Sequence, residues 1–168
     1  LGGLCSCACA YAFGGETAQA ALAFAVLGIL TVVALMDMDT LEIYDRFPVL
    51  LFVCGIAAHI LIPSLGIKSR LIGCVIVSVP MLLLALIVPG GFGGGDIKLA
   101  GATGLVLGLP ASLTASCLGL TGFVMYGCMV CLWNRFKGKR DKEAFPVGPF
   151  LAGGAAAVYC MRLGGWMI

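Results

Sequence analysis

The chain has 168 residues, of which 61% are hydrophobic and only 11% are charged, and its formal net charge is +2. Soluble domains contain about 45–50% apolar and roughly 25% charged residues, so this composition excludes an ordinary water-soluble domain. The small net charge gives no support for a nucleic-acid partner. An integral membrane protein built from apolar helices is the class that this composition predicts.

Six apolar segments predict an all-α, polytopic helical membrane protein that forms a single domain over residues 1–168. Their predicted bounds are 17–36, 47–65, 71–88, 97–109, 111–133 and 145–167. Most of them have the roughly 20 residues that a helix needs to span a bilayer. The segment 97–109 is shorter, and it is expected to enter the bilayer directly after the glycine-rich stretch that precedes it. Residues 1–14 are too short to span alone, and we interpret them as the tail of a truncated transmembrane helix.

The nine cysteines predict neither a disulfide framework nor a metal site. Cys128 and Cys131 form a CxxC pair, but no second pair accompanies it. A structural zinc site needs four ligands, and no other residues complete one. We therefore interpret the cysteines as small apolar packing residues, and no bound metal is expected.

The basic residues predict the orientation of the chain in the membrane. Five of the ten Lys and Arg residues lie between positions 135 and 142, and short loops rich in Lys and Arg face the cytoplasm. Counting the crossings back from this loop places Asp96 and the stretch 37–46 on the same side. Asp37 and Asp96 can therefore face each other near the cytoplasmic surface.

Asp37 and Asp96 are predicted to be a catalytic pair. A carboxyl group in or beside a membrane helix is costly and therefore indicates a function. Two carboxyl groups that share a site hold one proton, which suits aspartic proteolysis: one takes a proton from the attacking water and the other protonates the leaving amine. Gly93, Gly94 and Gly95 are expected to give the backbone unusual conformations and to admit an extended substrate.

Other interpretations of these acids remain open. Asp96 follows glycines and precedes an apolar run, which is also typical of a helix N-cap. Asp37 and Asp39 are also consistent with an acidic loop at a helix end. A proton-coupled transporter would use Asp37 and Asp96 as relay sites, although no inverted repeat is visible and both acids lie near one face. A non-catalytic membrane scaffold is a further alternative.

Three stretches of the sequence resemble the type IV prepilin peptidases, a family of GxGD intramembrane aspartyl proteases. GGGD at 93–96 fits the GxGD motif, and MDMDTLEIYDRF at 36–47 is similar to the family's first-aspartate pattern, I-D-x-D-T-x-x-I-P-D. FPVGPFLAGGA at 145–155 is similar to the start of the family's last helix. Tyr44 departs from the pattern because the family has a proline there.

The resemblance implies roles for individual residues. Asp37 and Asp96 would be catalytic, and Gly93 and Gly95 would be the motif glycines. Lys98 would pair with an acid or steady the charge of the catalytic pair; an interfacial lysine whose charged end extends to water is the alternative. Two further acids, Asp39 and Glu42, would line the entrance for the short basic leader of the substrate.

The resemblance also implies a substrate and a location. Prepilin or pseudopilin substrates would be cut just after a glycine, at the cytoplasmic face of the bacterial cytoplasmic (inner) membrane, in type IV pilus assembly or protein secretion. Cleavage would need no cofactor. Long family members also methylate the new N-terminus with S-adenosylmethionine and carry a loop with two CxxC pairs. That loop has no counterpart in this sequence, so methylation is left open.

Overall fold

The computed structural model describes residues 17–62, 65–87, 93–137 and 146–163. These residues form six helices and no strand, which confirms the predicted all-α class. The helices are α1 (Thr17–Thr40), α2 (Arg46–Leu61), α3 (Ile67–Ile87), α4 (Gly94–Leu107), α5 (Leu109–Phe136) and α6 (Gly148–Leu163). The segment 1–14, predicted to be the tail of a helix, lies outside the described residues.

Among the described residues, three helices are long and apolar enough to cross a membrane. They are α1 with 24 residues, α3 with 21 and α5 with 28. The other three, α2, α4 and α6, have 16, 14 and 16 residues, fewer than the about 20 that a hydrocarbon core requires. The prediction of about six membrane spans is therefore not confirmed. Large apolar side chains of α3, such as Leu71, Ile72 and Leu83, are exposed.

Helix α4 lies at the centre of the bundle. It packs against α2, α3, α5 and α6, and most of its residues are buried. Gly73 of α3 and Gly104 of α4 let the two backbones touch, because a Cβ atom on Gly104 would collide with the Gly73 carbonyl. Only Gly108 separates α4 from α5, and its φ of 78° is a conformation that favours glycine. The chain therefore turns sharply where α4 ends.

Two arginines hold the C-terminal end of α4. Arg70 of α3 is only 1% exposed and donates four hydrogen bonds to backbone carbonyls at the ends of α2 and α4. Its acceptors are the carbonyl oxygens of Ala58, Ile62, Leu105 and Val106. Arg162 of α6 donates to the Leu107 carbonyl at 2.9 Å. Helix C-termini expose unpaired carbonyls and attract positive charge, so these contacts fix the end of α4 opposite Asp96.

Candidate active site

The first predicted acid, Asp37, is buried one turn before the end of α1. Its side chain is 5% exposed, and Oδ2 accepts a hydrogen bond of 2.9 Å from the backbone N–H of Gly148. Gly148 is the first residue of α6, so this N–H has no acceptor within its own helix. A Cβ atom on Gly148 would lie 2.8 Å from Oδ2 of Asp37. Only glycine therefore lets the N-terminus of α6 approach Asp37 this closely.

The second predicted acid, Asp96, lies in the first turn of α4 and is 7% exposed. Helix α4 begins at Gly94, three residues earlier than predicted, so the N-cap is Gly93 and the predicted N-cap role of Asp96 is wrong. Instead, Oδ2 of Asp96 accepts a hydrogen bond of 3.1 Å from the backbone N–H of Gly93. Glycine has no side chain to return a capping hydrogen bond, so only the half of a capping box that the carboxylate supplies is present.

Of the three glycines before Asp96, Gly95 is the one whose small size a close contact requires. Gly93 has φ −73° and ψ 147°, which any residue adopts, and Gly94 and Gly95 are helical, so the predicted unusual backbone conformations are wrong for these residues. A Cβ atom on Gly95 would lie 2.7 Å from Cβ of Ile43, in the loop after α1. A Cβ atom on Gly94 would meet nothing within 4 Å. Gly95 is thus required for a close contact, and Gly94 is not.

One oxygen of Asp96 has no partner. Its Oδ1 atom is buried and makes no hydrogen bond with the described residues. A buried polar atom without a partner costs about 1–3 kcal/mol, and such atoms in native proteins commonly have a functional explanation. Oδ1 is therefore placed to bind a proton, a water molecule or a polar group of a ligand.

The negative charge of Asp37 acts on Asp96. Asp96 lies outside the three candidate membrane spans, and its pKa is raised to about 6, chiefly by burial. The Gly93 hydrogen bond opposes this increase, whereas the negative charge of Asp37 adds to it. Two neighbouring carboxyl groups of this kind favour a state with one proton between them.

The remaining predicted residues lie near the ends of α1 and α4. Lys98 pairs with an acid, as one of its two predicted roles required: its Nζ atom lies 2.7 Å from both carboxylate oxygens of Asp45. Asp39 lies in the last turn of α1 and Glu42 in the loop after it, and both are exposed. Their contact with a substrate stays a prediction. Within the described ranges, no group of three or more His, Cys, Asp and Glu residues is arranged to hold a metal ion.

Three residues have no role predicted from the sequence. Gly148 is only part of the stretch 145–155 there, although the Gly-Pro pair marks a helix start, whose free N–H groups can bind a nearby acid. Asp45 is only the last acid of the stretch 36–47. Arg70, which lies at the opposite end of α4 from Asp96, directly precedes the predicted segment 71–88, and a buried arginine must find several acceptors.

Comparison with known proteins shows the family to which the chain is similar. A model of the type IV leader peptidase family matches residues 24–133, a range that includes both Asp37 and Asp96. A curated prepilin leader peptidase/N-methyltransferase of Bacillus subtilis (strain 168) is 27% identical over 133 residues, which are 79% of this chain and 52% of that protein. The chain thus spans about half the length of this relative. No solved structure matches it.

Proposed function

Because the chain belongs to the type IV leader peptidase family, we propose that it is an aspartic endopeptidase that removes the leader from prepilin-like proteins. The observation that carries this proposal is the pair of buried acids. Asp37 and Asp96 come from different helices, are each held by one backbone N–H, and interact electrostatically. Of the four buried polar or charged residues in the described ranges, two are these acids. Burying them costs stability, which a catalytic role explains.

The two acids have different surroundings, which suggests a division of labour. Asp37 accepts a hydrogen bond from the backbone N–H at the N-terminus of α6, and a helix N-terminus favours a negative charge. Asp96 has an unpartnered, buried Oδ1, which suits the protonated form. We therefore assign Asp37 as the general base and Asp96 as the general acid.

Peptide hydrolysis follows from these roles. Asp37 takes a proton from a water molecule as the water oxygen bonds to the scissile carbonyl carbon, while Asp96 gives its proton to the carbonyl oxygen. The carbon–nitrogen bond of the resulting diol then breaks. The leaving amine takes a proton from Asp37, and one hydroxyl proton returns to Asp96. Both acids end in their starting states, and one water molecule is consumed.

The substrate class follows from the family and from the charges near the site. The curated relative is a prepilin leader peptidase, and the exposed acids Asp39 and Glu42 lie in the chain just after Asp37. Negative charge at an entrance attracts a basic leader. We propose that the site faces the cytoplasm in a bacterial cytoplasmic membrane, and that the bond cut follows a glycine at the end of the leader.

Methyl transfer is a separate part of the proposal. The curated relative also carries the name N-methyltransferase, and this activity would use S-adenosylmethionine. Incubating the reconstituted chain with substrate and S-adenosylmethionine tests it. A mature product heavier by one methyl group in place of hydrogen would establish methyl transfer, and a product of unmodified mass would exclude it under those conditions.

The cleavage proposal is tested with the chain purified into lipid vesicles together with a prepilin-like protein. Mass spectrometry should find two products that meet at one bond after a glycine. Asp37→Asn and Asp96→Asn, which keep the side-chain shape, should each lower kcat by at least about 100-fold, since general acid–base catalysis contributes 10²–10⁴-fold. Asp39→Asn should instead raise KM. Cleavage that persists in both Asn variants would contradict the proposal.

A further inference from the structure

We propose that Asp45 and Lys98 are positioning residues that hold the loop after α1 against the start of α4 and so set the relative position of Asp37 and Asp96. This inference rests on the proposed function, because it concerns the geometry of the same site. We call the loop from Leu41 to Asp45 the connecting loop, since it joins α1 to α2.

The first observation is the ion pair itself. Lys98 lies two residues after Asp96 on α4, and Asp45 is the last residue of the connecting loop. The Lys98 Nζ atom lies 2.7 Å from both oxygens of the Asp45 carboxylate. The pair thus ties the connecting loop to the helix that carries Asp96, across 53 residues of sequence.

The second observation is an apolar contact on the same helix turn. Gly95 packs so closely on Ile43 that a Cβ atom would lie 2.7 Å from Cβ and 3.0 Å from the carbonyl oxygen of Ile43. The connecting loop therefore contacts α4 on both sides of Asp96 in sequence, at Gly95 and at Lys98. The contact between Gly95 and Ile43 prevents a closer approach of the connecting loop to α4, and the ion pair opposes their separation.

The third observation is that the connecting loop is itself constrained. Leu41 has φ 55°, a left-handed conformation that costs about 1–2 kcal/mol for residues other than glycine. Its N–H donates to the carbonyl of Asp37 at 3.0 Å. The Thr40 hydroxyl donates to the Met36 carbonyl and accepts from the Glu42 N–H. A displacement of the loop is therefore passed to the last turn of α1, where Asp37 lies.

The exposure of the ion pair argues against a mainly stabilising role. The Lys98 and Asp45 side chains are 55% and 68% exposed, and exposed ion pairs contribute about 0–1 kcal/mol to stability. Catalysis is much more sensitive to geometry, since a displacement of about 1 Å can cost 10²-fold in rate. Loss of the pair should therefore lower kcat while leaving the fold intact.

The experiment compares four variants in lipid vesicles with a prepilin-like substrate: Asp45→Lys, Lys98→Glu, the two combined, and Arg46→Met as the control. Arg46 is an exposed cation beside Asp45, and its replacement removes a charge from this surface without touching the pair. Each single variant of the pair should lower kcat about 10-fold with KM unchanged, and the combined variant should recover most of the loss. The control should match the unmodified protein.

The outcomes are distinguishable. Single variants with unaltered kcat, a higher KM alone, or a combined variant as slow as the single ones would each overturn the positioning role. If one single variant is poorly folded, judged by its melting temperature, the combined variant decides the question by recovering both folding and kcat or by failing to. The proposed function fails separately, when Asp37→Asn and Asp96→Asn remain active.

Discussion

The adjacent glycines before Asp96 give the sharpest test of the geometry around this acid. The perturbation is one added methyl group, placed by Gly95→Ala or by Gly94→Ala. Both residues are helical and belong to the first turn of α4, so the change in helix propensity is nearly the same. The two substitutions differ in what the methyl group meets: Ile43 at 2.7 Å from position 95, and open space at position 94.

The magnitude follows from the contact. Ile43 presents its Cβ atom and its backbone carbonyl to Gly95, and neither rotates away as the tip of a flexible side chain does. The connecting loop or α4 must shift, which costs about 1–3 kcal/mol for an overpacked site. A shift approaching 1 Å lowers kcat by about 100-fold. Gly94→Ala should gain about 0.4–1 kcal/mol by restricting the unfolded chain and should keep its kcat.

The assay measures melting temperature in detergent and kcat in lipid vesicles for both variants beside the unmodified protein. We expect Gly95→Ala to be the less stable and the slower of the two, and Gly94→Ala to be at least as stable as the unmodified chain. Equal behaviour of the two variants would refute the close contact between Gly95 and Ile43.

Three further predictions concern other parts of the molecule. Gly148→Ala places a Cβ atom 2.8 Å from Oδ2 of Asp37 and should lower kcat by about 100-fold. The control is Gly153→Ala on the same helix, where a Cβ atom meets nothing within 4 Å. Equal values of kcat for the two variants would contradict the prediction. Arg70→Met removes four hydrogen bonds and should lower the free energy of unfolding by at least about 3 kcal/mol. Denaturant titration measures this change, and a decrease below about 0.5 kcal/mol would contradict the prediction. Burial raises the pKa of Asp96 from 3.8 to about 6, so between these pH values the folded protein keeps a proton that the unfolded chain releases. Through this group, the free energy of unfolding should fall by up to about 3 kcal/mol between about pH 4 and pH 6 and then level off. Asp96→Asn should lose the part of the decline that comes from Asp96.

The sequence was sufficient for the fold class, because its composition required apolar helices. The pairing of Asp37 and Asp96, which was inferred from an even number of membrane crossings, stays a prediction. Six helices are found close to the six predicted segments. The helices were predictable because each depends on a long run of apolar residues, so that one misinterpreted position changes the predicted bounds only slightly.

Local details were less predictable, because they depend on contacts between distant parts of the chain. The predicted start of α4 is three residues too late, because unusual backbone conformations are expected for the glycines, whereas two of them belong to the first helical turn. Gly148 contacts Asp37 across 111 residues, and Lys98 meets Asp45 across 53. No spacing in the sequence reports such contacts, because the first depends on the packing of α6 against α1 and the second on the packing of α4 against the loop after α1.

The coupling of Asp37 and Asp96 is tested most directly by following the titration of Asp96 with infrared spectroscopy. The carbonyl band of the protonated carboxyl group is assigned to Asp96 by its loss in Asp96→Asn. In the unmodified protein, this band should disappear with a pKa of about 6. In Asp37→Asn, where the neighbouring negative charge is gone, the pKa should be lower. An unchanged titration in Asp37→Asn would mean that the two acids do not share a site, and the catalytic pair would be contradicted.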